Sequence, residues 1–496
     1  MQKIKEVVLL LSSVVLLILS TPGFDCYYFA FVALVPFFYL LESLNLKRSI
    51  IFTYFFSVIL YTITLSWIVI TVSDFGNAPK IIGFLILILF ASYLSIYWLL
   101  FVYFYKKRLN ILFLSVIFVA LELIRGFLFT GFPWINLGIT QYNNNLLIKL
   151  YSIVGENGVS FIIILTNLLL YNLITSRKLI YLFSVICLIV FVFIVNISIN
   201  YDNNGKKVNI AAIQPAYSQK EKWNPNKKEE LINKVLNMFN SLEDNFDLII
   251  MPESIFPTFC NEDKWIIDYL RKNKKSDGVI FGCLRYEKKE KIRYYNSVFF
   301  IDNETVNFYD KIHLVPFGEY FPFKNLLKPI EYYFFKDSED FSAGNKFTVF
   351  KSNNLAIATP ICYESAYSSI VRKFFKKGAN LFVFLSNDSW FGNSKGRYQH
   401  LAIDIIRAFE FNRTIVRGTQ SGISACIDPF NKKVVSLGID ESGILKCSLP
   451  VLKKSTVFSR YAYIYLLFLF FIGIIFELYK RNLLIKFIKK YKRLRN

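Results

Sequence analysis

Three residues of different chemistry close short apolar runs: Glu253 in MPES, Lys311 in YDKIHLVPFGEY and Cys362 in PICYES. A thiol of ordinary pKa, near 8.5, is mostly protonated at neutral pH. A neighbouring ammonium favours the thiolate, and a carboxylate can take its proton. The set reads as a cysteine acyl-transfer site. Cys362 is the nucleophile and Glu253 the proton acceptor, which later returns the proton to the leaving group. Lys311 faces the developing oxyanion, with the backbone N–H of Tyr363 as second donor. Glu319, beyond the turn marked by Pro316 and Gly318, reads as an auxiliary acid. Each residue alone has an ordinary explanation: a turn acid, a solvated lysine, a buried structural cysteine. Their joint occurrence favours the catalytic reading.

Strand-like runs carry these residues. VNIAAIQP (208–215), DLIIMPE (247–253), GVIFGCLRY (278–286), SVFFID (297–302), LAIATPICYE (355–364), ANLFVFLSN (379–387) and TIVRGTQSGISACIDP (414–429) read as strands. Residues 226–243 and 397–412 have a helical apolar period. Near-continuous apolar strands imply sheets covered on both faces, and their alternation with helices implies an α/β layered domain of about 200–458.

The rest of the chain is of another kind. It is 54% hydrophobic and 18% aromatic, with a mean hydropathy of +0.40. Apolar runs at 4–20, 24–44, 50–73, 81–105, 111–129, 159–175 and 179–199 predict seven transmembrane helices, and 461–478 an eighth. The expected division is a helical membrane domain, 1–199, the catalytic domain, 200–458, and a final span with a basic tail, 459–496. Lys3, Lys5, Lys47, Arg48, Lys106, Lys107, Arg108, Arg177, Lys178 and the tail from Lys480 mark the cytoplasmic side. Both termini are then cytoplasmic, with 200–458 on the outer face. Lys3 and Lys5 before an apolar run also fit a cleaved signal peptide, but STPGF is a poor cleavage site.

The net charge of +22 is assigned to contact with anionic lipid. No nucleic-acid motif accompanies it. Of seven cysteines, Cys260, Cys283, Cys362, Cys426 and Cys447 fall in the outer domain; the odd number leaves at least one thiol without an intramolecular partner. With two histidines and no zinc spacing, no metal or cofactor is expected. Glu122 and Arg125, three apart near the outer end of the fifth span, read as a structural ion pair or, less simply, a headgroup site.

The three segments resemble the nitrilase superfamily, which uses a Glu-Lys-Cys triad on an αββα sandwich. Seven spans, an outer nitrilase-like domain and a final span resemble the apolipoprotein N-acyltransferase family, whose members complete bacterial lipoprotein maturation. Gln214-Pro215, Trp223 in KWNP, Tyr363-Glu364, SNDSWFG (386–392) and GFPWINLGITQ (131–141) match as well. The resemblance implies that Cys362 takes an acyl chain from the sn-1 ester of a phospholipid, typically phosphatidylethanolamine. The thioester then acylates the α-amine of an S-diacylglyceryl-cysteine at an apolipoprotein N-terminus. It implies supporting roles for Trp223, Glu319, Tyr363 and Glu364, a monomer, and an inner-membrane location with the catalytic domain in the periplasm. Trp134, Trp390 and Phe391 are candidates to line a lipid entrance. Two other readings stay open on the site residues: a membrane-bound amidase or nitrilase-type hydrolase, and a scaffold with a degenerate enzyme domain.

Overall fold

The computed structural model describes residues 1–76, 78–199, 205–243, 246–288, 290–322, 324 and 339–495. The side chains of Arg481 and of 483–496 fall outside the described set, and the basic tail of the sequence lies there. The chain divides into two compact units. One comprises 1–66, 85–199 and 460–496; the other comprises 67–84 and 200–459.

The first unit is helical. Its helices are Gln2–Ser20, Val35–Ser43, Leu46–Thr64, Lys80–Lys106, Ile111–Arg125, Tyr151–Ser176, Leu179–Ser198 and Ile464–Arg495. Asn45 and Asn110 cap two of them by accepting the N–H groups of Arg48 and Phe113. Among the described residues, four helices are long and apolar enough to cross a membrane: Leu46–Thr64, Lys80–Lys106, Ile148–Ser176 and Leu179–Ser198. In the last, only 6% of the apolar stretch is buried, leaving Ile180, Phe183, Ile186, Ile189, Phe193 and Ile197 exposed. Such a surface suits lipid rather than water.

Two expected spans are broken, and a third is intact but begins earlier, beyond a bend. The run 24–44 forms a 3₁₀ turn, Tyr27–Phe31, and a separate helix, Val35–Ser43, with Pro36 in its first turn. The run 50–73 ends as a helix at Thr64 and resumes as Trp67–Ile70 and a π-helical turn, Thr71–Phe75. The helix over 159–175 starts at Tyr151 and bends at Gly155, where φ is +64°. Hydropathy reports apolar continuity, and a backbone break between apolar residues leaves it unchanged.

The second unit carries two six-stranded sheets. In chain order the strands are β1 (Lys207–Gln214), β2 (Phe246–Met251), β3 (Ser276–Lys288), β4 (Ile292–Ile301), β5 (Val306–Asp310) and β6 (Val349–Ser352). Then follow β7 (Leu355–Ala358), β8 (Leu381–Ser386), β9 (Ile415–Thr419), β10 (Ala425–Asp428), β11 (Lys433–Ser436) and β12 (Gly443–Pro450). The sheets run β12-β1-β2-β3-β4-β5 and β11-β10-β9-β8-β7-β6. Each has a parallel centre, β1-β2-β3 or β7-β8-β9, with antiparallel flanks. The run 414–429 is therefore two antiparallel strands joined through Gly422, not one.

Side-chain alternation builds the layers. Ala211, Ile213, Ile249 and Met251 face outward, packed with Leu231, Val235 and Phe239 of helix Lys228–Asn240 and Ile266 and Leu270 of helix Lys264–Asn273. Their neighbours face the second sheet; Ile250 meets Gly418. Helix Gly396–Phe411 covers the other side, packing on β9 and β10. The order is helix, sheet, sheet, helix, as expected. β8 and β9 are buried at every position, as strands covered on both faces must be.

Candidate active site

Strands of both sheets deliver the site at their carboxyl ends, β2 and β7 from the parallel centres and β5 from an edge. β2 stops at Met251, and the chain turns so tightly that a Cβ on Gly282 of β3 would lie 2.5 Å from the Glu253 Cα. Glycine is required there for close backbone approach. Glu253 Oε1 accepts from Asn296 Nδ2 at 2.7 Å, and Oε2 from the Asn387 N–H at 2.8 Å. Lys311 follows β5; its Nζ donates to Glu319 Oε1 at 2.9 Å and lies 3.8 Å from Glu253 Oε1. Glu319 also accepts from Asn296 Nδ2 at 2.9 Å and from the Val315 N–H at 2.7 Å. Burial alone would lower the Lys311 pKa, but Glu319 and Glu253 raise it above the ordinary lysine value. Lys311 is thus a fixed cation at neutral pH.

Cys362 opens a 3₁₀ turn, Cys362–Ala366, four residues beyond the end of β7. Its φ is +51°, a left-handed conformation that costs a non-glycine residue about 1–3 kcal/mol. Glu364 holds the turn: it accepts from the N–H groups of Ile361 (2.8 Å), Ile312 (2.8 Å) and His313 (3.0 Å) and from the Tyr309 hydroxyl (2.8 Å). One carboxylate therefore fastens the Cys362 turn to the segment after Lys311. Tyr363 is half-buried, and its hydroxyl accepts from Tyr367 at 3.1 Å. Burial and the Glu253 charge push the Cys362 pKa far above an ordinary thiol, and Lys311 opposes them. The resting group is a thiol. Moving the thiol proton to a carboxylate such as Glu253 would leave the charge of the trio unchanged.

Behind the cysteine lies a second set that the sequence reading did not single out. Asp388 Oδ1 accepts from His400 Nδ1 at 2.8 Å and from the Ser386 hydroxyl at 2.6 Å. Arg417 bridges Asp388 and Asp404. Ser386 Oγ lies 3.8 Å from Cys362 Sγ, and His400 Nε2 3.3 Å from the Cys362 carbonyl. Burial alone would raise the Asp388 pKa, but Arg417 and His400 hold it well below the carboxylate range. The available signals were SNDSWFG itself and the scarcity of histidine; Arg417 and Asn296 sat unmarked in strands.

The aromatic candidates fall in separate places. Trp223 is half exposed, with the Lys222 ammonium 5.4 Å from its ring. Trp390 packs on Phe75 and Phe391 on Trp67, with ring centroids 5.1 and 5.0 Å apart, and the Thr71 hydroxyl donates to the Trp390 carbonyl at 3.0 Å. Trp134 is 2% exposed within the helical unit. Glu122 and Arg125 do not pair with each other, and Arg125 does not reach the surface. Arg125 donates to Tyr61, the Trp134 carbonyl and Asn136, while Glu122 accepts from the Leu137 N–H. Each bonds the segment that follows their shared helix.

Disulfides join Cys260 to Cys283 and Cys426 to Cys447, leaving Cys362 as the one free thiol among the described residues of this unit. The second ties β10 to β12, one strand from each sheet.

Residues 13–169 match the apolipoprotein N-acyltransferase N-terminal domain, and 209–451 the carbon-nitrogen hydrolase domain. The chain is 28% identical to an apolipoprotein N-acyltransferase of Haemophilus ducreyi, covering 94% of each chain. It is 29% identical to that of Aquifex aeolicus, covering 89% of this chain and 98% of the other. It is 30% identical to that of Geobacter metallireducens, covering 84% of this chain and 83% of the other. With a membrane-type helical unit joined to a carbon-nitrogen hydrolase sandwich, and likeness running through both, this chain belongs to the apolipoprotein N-acyltransferase family.

Proposed function

We propose that the protein moves an acyl chain from the sn-1 position of a phospholipid to the N-terminal α-amine of a diacylglyceryl-cysteine lipoprotein, through a thioester on Cys362. The observation that carries this reading is the buried meeting of a fixed cation, Lys311, an ionisable carboxylate, Glu253, and the one free thiol. In the first half-reaction Glu253 takes the thiol proton and sulfur attacks the ester carbonyl. Lys311 and the Tyr363 N–H receive the oxyanion. The C–O bond breaks, and Glu253 protonates the departing lysophospholipid. In the second half-reaction the acceptor amine attacks the thioester. Glu253 takes a proton from nitrogen and restores it to the Cys362 sulfur. Glu319 and Asn296 position Lys311 and Glu253, and Glu364 positions the cysteine turn.

The catalytic unit stands on the outer, periplasmic face, with both termini cytoplasmic. The two disulfides support this, since they persist in oxidising compartments, and so do the basic cytoplasmic loops. Trp390 and Phe391, with Trp67 and Phe75, form an apolar cluster beside Asp388 suited to acyl chains. A hydrolase would share the first half-reaction and use water in the second. Incubation with phosphatidylethanolamine and no acceptor, followed by mass spectrometry, separates the readings. A hydroxylamine-sensitive acyl adduct on the Cys362 peptide that persists until a diacylglyceryl peptide discharges it supports acyl transfer. Steady release of free fatty acid, or no adduct on folded protein, rejects it.

A further inference from the structure

The second half-reaction has one proton too many for Glu253. An α-amine has a pKa of about 7.7–8.0, so the acceptor arrives at pH 7 mainly as an ammonium. Making an amide from it releases two protons. One returns to the Cys362 sulfur through Glu253; the other needs a second base.

Lys222 lies on a turn docked beside Glu253. It ends a short helical turn, Gln219–Lys222, closed by reciprocal bonds between Ser218 and Glu221. The turn is docked on the site: the Asn387 side chain donates to Gln219 at 2.7 Å, and the Asn387 N–H donates to Glu253 at 2.8 Å. Lys222 is 2% exposed. Its Nζ makes no hydrogen bond to a described residue, and the Trp223 ring centroid lies 5.4 Å away. Glu221, its neighbour, is held by Ser218 and Lys227. Glu253 is the charge that favours the ammonium form of Lys222, and burial opposes it. Burial of an unpartnered ammonium is costly, so the site favours the neutral amine.

We infer that Lys222 is the base that takes the surplus proton of the acceptor ammonium before the amine attacks the thioester. This rests on the acyl-transfer reading. Neutral Lys222 and the ammonium exchange one proton; the free amine attacks; Lys222 then releases its proton to solvent past the half-exposed Trp223. Burial pushes the Lys222 pKa down to about 7, against the pull of Glu253, so both of its forms are accessible at neutral pH.

The test separates the half-reactions. Wild type, Lys222→Met and Lys222→Arg are loaded from phosphatidylethanolamine, and discharge onto a diacylglyceryl-cysteine peptide is timed from pH 6.5 to 9. At pH 7 both variants should discharge about tenfold or more slowly, a larger loss than in loading. The deficit should close toward pH 9, where the peptide amine is already neutral. Arginine cannot act as a base, so rescue by Lys222→Arg would overturn the assignment. Equal losses in both half-reactions, a pH-independent deficit, or a variant that never loads would also overturn it. Failure of the wild type to load would instead remove the acyl-transfer reading itself.

Discussion

Glu253, Glu319 and Lys311 on one side of the site, and Asp388, Asp404 and Arg417 on the other, are the same set of charges: two carboxylates about one buried cation. They are used differently. In the first set the cation is a lysine that bonds Glu319 at 2.9 Å but stands 3.8 Å from Glu253. Glu253 is held by a side-chain amide and a backbone N–H, neither of them a charge. In the second set a guanidinium forks between both carboxylates, with His400 and Ser386 adding donors to Asp388. Arginine keeps its charge and its planar geometry. On the proposed mechanism the first arrangement serves a moving proton, while the second fixes the cysteine's surroundings.

Breaking the reactive set should cost activity first. Cys362→Ser should lower acyl transfer about a thousandfold or more, with insertion and disulfides intact. Glu253→Gln should follow at about 10²–10⁴-fold, read as slower Cys362 acylation in single turnover. Arg417→Met should act in the opposite register. It leaves Asp388 and Asp404 buried without their cation, a change of about 3–5 kcal/mol. The inactivation temperature in detergent should fall well below that of Lys311→Met, whose carboxylates keep Asn296, Val315 and Asn387 as donors. Equal thermal losses in the two variants would erase the distinction.

The two sets also differ in how far the sequence reveals them. Glu253 and Cys362 each end an apolar run beside Pro or Tyr, so their place at strand ends is written locally; Lys311 is marked by the Pro-Gly turn that follows it. Arg417 lies inside IVRGT and Asn296 inside RYYNSVFF, where a polar residue in a strand reads as ordinary; only the fold shows both turned into the site. β5, β6, β11 and β12 went unread because they are short or carry charges that break the apolar pattern. Their strand character comes from pairing, as in the β1–β12 ladder. The helical breaks at 32–34 and 65–66 stayed hidden because hydropathy is blind to φ and ψ.

A subtler change tests position alone. Gly282→Ala places a Cβ 2.5 Å from the Glu253 Cα, so the base must shift while every reactive group remains. A misplacement of about 1 Å can cost about a hundredfold. Turnover should fall by about ten- to a hundredfold, with Cys362 still accessible to alkylation. An unaffected enzyme would mean that the Glu253 turn is free to relax.

The smallest expected effect lies at the only described hydrogen bond joining the cysteine thiol to the second set, Ser386. Its hydroxyl has one proton. Asp388 stands 2.6 Å away as a charged acceptor, and Cys362 Sγ 3.8 Å away as a neutral one. The proton therefore points at Asp388, and the oxygen is left to accept weakly from the thiol. Ser386→Ala removes one weak acceptor from the resting thiol and one donor from Asp388, which keeps Arg417 and His400. A neutral hydrogen bond is worth about 1 kcal/mol, so acylation should change about fivefold. A loss approaching that of Glu253→Gln would mean that the second set shares in the proton transfer, and the division between a moving proton and a fixed scaffold would have to be redrawn.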